Sequence, residues 1–438
     1  MKPRLDTPSP CKYRRESDRK TFCSLVPLIA ESQDEFLTEV SRDECDVCST
    51  FFAPSREEPN PVVASLVEQA ADASGNHRLK EWTYRFHRIG LFPETVGDDG
   101  IVIRDKGELA REQASHPCFY LVRRRDQSFS EGDHRSGWPY AFDALSNLHC
   151  GDGIVLDDFI EQRFGYHMGA PGYREPWIGI FHHPLDDPGF TGTRNNLNAM
   201  LQTAYWREAE PWLRGVITLS DYLTNQLRGY FSEVRPDLPI ASVKHPMRIP
   251  ETKWSFERFS ANPKQKLIQM GWYQRNTQAI YSVPPVPLRK YRVFPCRWLH
   301  EHYDEKIRSH FAKDIQRYEC RVTERAYIHA DEYEAALTEN VMFSHIITAS
   351  ANNVVVDCIA ANTPLIINPH PAVVEYLGTD YPLYYTDFDE VPELCTKDAL
   401  LAANSYLSNL DKSWASADSF RDSVASAVRA FTTEGCTQ

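Results

Sequence analysis

The sequence predicts an α/β protein of two Rossmann-like, doubly wound domains behind a cysteine-containing N-terminal extension. Three observations predict it. Short apolar runs alternate with segments of helical period from Phe119 onward. The alternation breaks over 246–265, where proline, charge and aromatic residues mark a domain boundary. A chain of 438 residues is also too long for one ordinary core. The division is an extension over 1–115, a first Rossmann-like domain over 116–250 and a second over 251–438.

The first domain opens with FYLVRRR, a strand running into a charged loop, and the turn Gly137–Trp138–Pro139 introduces a helix. GIVLDDFIEQ is a strand ending in Asp157 and Asp158. WIGIFHHP is a buried strand ending in His182, His183 and Pro184. LNAMLQTAYW reads as one helix with Leu197, Met200, Leu201, Ala204 and Tyr205 on a single stripe. GVITLS is a strand, Ser220 caps the helix DYLTNQLRGYF, and LPIASVKHP is again a strand.

The second domain restarts with the strand KLIQMG, which ends in Gly271 and leads into WYQRNTQAIYSVP. The stretch 284–325 has no clear period. The segment 341–378 is the most legible: VMFSHIIT is a strand, ASANN a polar loop able to cap a helix, VVVDCIAAN an apolar helix stopped by Asn362, and TPLIINP the next strand. Periodicity places two closing helices over 393–410 and 414–431.

These elements suggest where chemistry would sit. In an open α/β sheet, ligands bind at the carboxyl ends of the strands. Gly271 lets the backbone approach a ligand there, and Arg275 lies four residues on. A guanidinium can take two oxygens of a diphosphate. Ser350, Asn352 and Asn353 begin a helix whose N-terminus attracts phosphate, though capping alone would explain them. Asp357 is a lone acid in an apolar helix, one turn from Asn353, and needs a partner: a ribose or an internal hydrogen bond.

The helix and strand VDCIAANTPLII resemble the nucleotide-sugar half of the large retaining glycosyltransferase family with the GT-B fold. The resemblance extends as a fold pattern over roughly 116–438 and is sharpest at 266–276 and 341–385. It implies a nucleotide-sugar donor, with Asp357 on the ribose hydroxyls and Gly271 and Arg275 on the diphosphate. It also implies a closing helix that crosses back onto the first domain. The first acid of the family's pattern falls at Ala349 and is missing here. GT-B enzymes often carry a cleft histidine, which makes His182 and His183 the catalytic candidates; a structural turn before Pro184 is the alternative. Asp157 and Asp158 are read either as contacts for acceptor hydroxyls or as a helix cap.

Two further clusters bear on metal binding. Asp387–Phe388–Asp389 looks like an Asp-x-Asp metal motif, but it precedes a helix and is more simply a cap. Cys11, Cys23, Cys45 and Cys48 form a loose pattern that could close a tetrahedral structural zinc site; free thiols in an arm are the alternative. The odd total of 11 cysteines is unlike a disulfide framework. A net charge of −13 argues against a nucleic-acid partner. No run reaches the length of a membrane span and MKPRLDTPSPCKYRR has no apolar signal core, so a cytoplasmic protein is expected, with peripheral membrane contact left open.

The expectation is therefore a metal-independent glycosyltransferase acting on a glycan, lipid or protein acceptor. The alternatives are a GT-B epimerase or phosphorylase, and a non-catalytic sugar-nucleotide-binding protein.

Overall fold

The computed structural model describes residues 14–17, 20–23, 38–40, 119–122, 138–149, 153–166, 173–187, 196–271, 273–294, 322–325, 328 and 330–433. Three short strands, β1 (Arg14–Ser17), β2 (Lys20–Cys23) and β3 (Thr38–Val40), form an antiparallel sheet in the extension. Cys23 ends β2; Cys11, Cys45 and Cys48 lie outside the described residues.

The first domain holds a parallel sheet of β4 (Phe119–Leu121), β5 (Ile154–Asp157), β6 (Trp177–Phe181), β7 (Leu213–Thr218) and β8 (Ile240–Ser242). Successive side chains feed opposite layers, as a pleated strand requires. Val155, Trp177, Phe181 and Val216 enter one core, while Leu156, Ile178, Ile180 and Ile217 enter the other. Covering on both faces is why these strands read as unbroken apolar runs. The described strands lie side by side in sequence order, with no reversal among them. Alternation of strands and helices predicts parallel pairing, but not the order across the sheet.

The second sheet has the order β11 (Thr323–Arg325), β10 (Arg289–Val293), β9 (Lys266–Met270), β12 (Val341–Ser344), β13 (Leu365–Ile367), all parallel. From β9 the chain builds outward in one direction and then in the other. The carboxyl ends of β9 and β12 therefore flank a topological switch point, where the crevice of such a sheet opens.

The closing helix Ala417–Thr433 buries Phe420, Val424, Val428 and Phe431 in the first domain's core. Phe431 lies over Gly215 of β7, where an added Cβ would come within 2.5 Å of its ring. This is the crossing that the resemblance implies.

Two expected helices are broken. The stretch 197–206 is two short helices, Leu197–Met200 and Ala204–Ala209. The Thr203 hydroxyl caps the second by accepting from Trp206 N at 3.2 Å. Trp206 is then the buried anchor, and Ala204 is exposed. Likewise 393–410 divides into Val391–Leu394 and Lys397–Asn409, because the Thr396 hydroxyl donates to Glu393 O at 2.9 Å. Among the described residues, no helix is long and apolar enough to cross a membrane.

Candidate functional site

Two loops meet at the switch point. The first follows β9. Gly271 has φ +81°, and a Cβ there would come within 2.7 Å of Arg275 Cζ, so only glycine lets the guanidinium fold back over the turn. Gln274 also has a positive φ, +60°. The loop is tied to the one after β12: Asn276 N donates to His345 O at 2.9 Å, and Ile347 N to Gln274 O at 3.0 Å. Gln269 on β9 braces it from below, donating to Asn276 O at 2.6 Å and accepting from Ile280 N at 2.9 Å.

Arg275 is thereby held 91 % buried. Its Nη2 donates to Asn352 Oδ1 at 2.8 Å and its Nη1 to Tyr273 O at 3.3 Å. Asn352 is the N-cap of the helix Asn353–Ala361, and the same Oδ1 accepts from Val354 N at 3.1 Å. A guanidinium thus sits against the positive end of a helix. Arg275 has no carboxylate partner, and its Nε has no hydrogen-bond partner, among the described residues. Burial pulls its pKa down to about 10, with Tyr333 acting the other way, so it stays cationic at neutral pH. Gln274 Nε2, Thr277 Oγ1 and Gln278 Nε2 are likewise buried without partners among the described residues. One cation without a carboxylate partner and several buried polar atoms without hydrogen bonds among the described residues thus share one loop, an arrangement that an anion could satisfy.

Asp357 is 5 % exposed and accepts a hydrogen bond from the Tyr333 hydroxyl on the helix Ala330–Glu339. Ser350 is buried and lies 3.4 Å from Ser220 Oγ. Asn353 opens the helix as its first residue, and Asn362 ends it with φ +57°. Ala349 is buried among apolar side chains and supplies no carboxylate. Gly271, Arg275, Ser350, Asn352, Asn353 and Asp357 are thus carried by the two loops and one helix of the switch point.

The two histidines part company. His182 is held within its own domain: Nε2 pairs with Asp158 O at 2.8 Å, and the ring lies against Trp138 and Phe159. His183 faces the second domain, with its Nδ1 3.2 Å from the Tyr273 hydroxyl. Glu161 sets the turn, because one oxygen accepts from both His182 N at 2.7 Å and His183 N at 2.8 Å. Burial raises the Glu161 pKa above the usual carboxylate range, and His183 offsets only part of that rise.

Asp157 and Asp158 are fully buried. Asp157 accepts from Tyr173 Oη at 2.6 Å, Phe159 N at 3.1 Å and Arg163 Nε at 3.3 Å. Asp158 accepts from Trp138 Nε1 at 2.8 Å. In this structure they brace the domain from within, and the contact from Phe159 N to Asp157 agrees with the helix-cap alternative rather than with an acceptor contact. Asp387 is a cap, accepting from Asp389 N at 2.9 Å at the start of the turn Phe388–Glu390.

Sequence reasoning missed the groups that join the domains. Thr348 Oγ1 donates to Asp186 Oδ1 at 2.6 Å, and Tyr273 Oη to Asp187 Oδ2 at 2.6 Å. Burial raises the Asp186 pKa, but hydrogen bonds from Thr348, Tyr222 and Gln226 outweigh it and leave the carboxyl below its usual range. Glu375 accepts from Asp221 N at 2.7 Å and Tyr222 N at 2.6 Å, serving as an acidic cap for the first-domain helix Asp221–Val234. Tyr376 Oη donates to Leu219 O at 2.6 Å.

No protein-family model and no curated protein matches this chain. Solved structures do. A UDP-forming α,α-trehalose-phosphate synthase from Burkholderia xenovorans aligns with TM-score 0.42 and 13 % identity over 67 % of this chain and 78 % of that one. Trehalose-6-phosphate synthase OtsA aligns with TM-score 0.46 and 10 % identity, over 67 % and 76 %. TarM of S. aureus, in a complex with UDP, aligns with TM-score 0.43 and 13 % identity, over 63 % and 55 %. At these scores and identities the likeness lends no residue a role, and the site is defined by this chain's own groups.

Proposed function

We propose that the chain is a glycosyltransferase that binds a nucleotide-sugar donor at the switch point of its second domain. The observation that carries the reading is the buried Arg275 guanidinium, set at a helix N-terminus with no carboxylate beside it among the described residues. A diphosphate would supply the missing negative charge. Arg275 and the capped helix would also stabilise the diphosphate as it leaves, without a metal ion. Asp357 would exchange its Tyr333 contact for, or share it with, the ribose hydroxyls. His183, facing the cleft, would meet the transferred sugar; His182, packed inside its domain, would hold the turn. The first domain would take the acceptor: a glycan, a lipid headgroup or a protein. The four early cysteines would hold a structural zinc, away from transfer.

A second reading, binding without transfer, is favoured by one feature: Ala349 is buried in an apolar surround where the resemblance expects an acid. A thermal-shift screen of the full chain against nucleoside diphosphates and sugar nucleotides tests the site, since a ligand at 100 times its Kd stabilises by about 2.7 kcal/mol. The same chain should hydrolyse its donor slowly without an acceptor, and EDTA should leave that activity intact. Asp357→Asn should weaken nucleotide binding and leave the fold standing. Stabilisation by a sugar nucleotide with no turnover would favour the binder. Equal nucleotide affinity in Asp357→Asn would remove the acid from the site.

A further inference from the structure

Two carboxylates of the first domain occupy donors of the second. Asp186 takes the Thr348 hydroxyl and Asp187 the Tyr273 hydroxyl, each at 2.6 Å. Tyr273 lies two residues before Arg275. Thr348 is tied to the same loop, its backbone N donating to Gln274 O at 3.3 Å. Both hydroxyls therefore belong to the loop pair that carries the unneutralised guanidinium.

The acids come from one turn after β6, and that turn is fastened to its own domain. Glu161 holds the backbone at His182 and His183. Gln226 Oε1 accepts from Leu185 N at 2.9 Å, and Asn196 Nδ2 donates to Asp187 O at 2.5 Å. Tyr222, also of the first domain, donates to Asp186. The pair is thus presented across the cleft on a fixed support. A carboxylate and a phosphoryl group have the same charge sign and accept from the same hydroxyls at similar distances. Both cannot take one Thr or Tyr proton, and their charges repel.

We propose that Asp186 and Asp187 form an internal anion plug: without ligand they hold the Thr348 and Tyr273 hydroxyls, and a nucleoside diphosphate at Arg275 takes those donors over, loosening this contact between the domains. The proposal rests on the reading of Arg275 as the diphosphate site. It assigns Thr348 and Tyr273 as further phosphate-binding residues. It also makes the measured affinity lower than the intrinsic one, because only the unplugged fraction is competent to bind.

The test uses the full chain, wild type and two double variants. Asp186→Asn with Asp187→Asn removes the charge at constant size. Asp186→Ala with Asp187→Ala removes the acceptors as well. Each is titrated calorimetrically with uridine, guanosine and adenosine diphosphates and with inorganic pyrophosphate. The plug predicts that both double variants bind the preferred probe about tenfold tighter or more, the gain expected when a competing state that dominates the free protein is removed. It also predicts, without ligand, a wider interdomain distance distribution in the Ala pair by fluorescence energy transfer. Unchanged or weaker affinity in both variants overturns the plug, as does an unchanged distance distribution. Binding to wild type with no gain in the variants rejects the plug alone. No binding in any of the proteins rejects the Arg275 site beneath it.

Discussion

The two faces of the cleft use buried polar groups in opposite ways. On the first-domain face they are consumed internally: Asp157 by Tyr173, Phe159 N and Arg163, Asp158 by Trp138, and His182 by Asp158 O. Glu161 and Asp158 are partial exceptions: Glu161 spends one oxygen on two backbone amides and Asp158 one on Trp138, while the second oxygen of each accepts no hydrogen bond among the described residues. On the second-domain face, Gln274, Arg275, Thr277 and Gln278 each keep a buried polar atom without a partner among those residues. Burying a polar group without a hydrogen bond costs about 1–3 kcal/mol. A loop that carries several such groups side by side is stabilised poorly by the protein alone. The difference supports the proposal that the first face serves mainly as scaffold and the second as the ligand half.

The contrast is sharpest at Asp157. Removing one member of a buried charged network leaves the other desolvated and alone. Asp157→Ala should lower the unfolding free energy by about 3–5 kcal/mol in urea titrations, while nucleotide affinity in the folded protein stays as it was. A loss below about 1 kcal/mol, the range of an exposed pair, would break the description of this face as scaffold.

Thr277 probes the other face, with a smaller effect. Thr277→Val keeps the shape and removes a buried hydroxyl that has no partner among the described residues. The ligand-free protein should gain about 1 kcal/mol, the low end of the cost of an unsatisfied hydroxyl, read as a higher Tm. A fall in Tm would mean that the hydroxyl is already well bonded, and the two faces would then differ less than described.

Much of the second face was legible because local chemistry dictates it. The apolar runs at 266–270 and 341–344 read as buried strands, Gly271 as a turn, Asn352 as a cap and Asn362 as a left-handed stop. Each signal lies within a few residues of its effect. The same holds for Ser220, whose hydroxyl accepts from Leu223 N. What stayed illegible depends on partners far away in sequence. Thr348 meets Asp186, Tyr273 meets Asp187 and Glu375 caps a first-domain helix, and no local period announces any of these. Asp157 and Asp158 left two readings open for the same reason, since acids at a strand end suit an acceptor contact or a cap until Tyr173, Phe159 N and Trp138 are found against them. The order of strands in the first sheet was out of reach as well, because alternation fixes pairing direction only.

The central claim is that Arg275 binds the diphosphate of a nucleotide. Calorimetric titration of uridine, guanosine and adenosine diphosphates into wild type and Arg275→Ala tests it most directly. Losing a charge-assisted contact costs about 1.5–3 kcal/mol, so the preferred nucleotide should bind roughly 10- to 100-fold more weakly to the variant, with the ligand-free Tm unchanged or raised because a buried, uncompensated cation is gone. Equal affinity in the two proteins, or no nucleotide binding to either, would contradict the account.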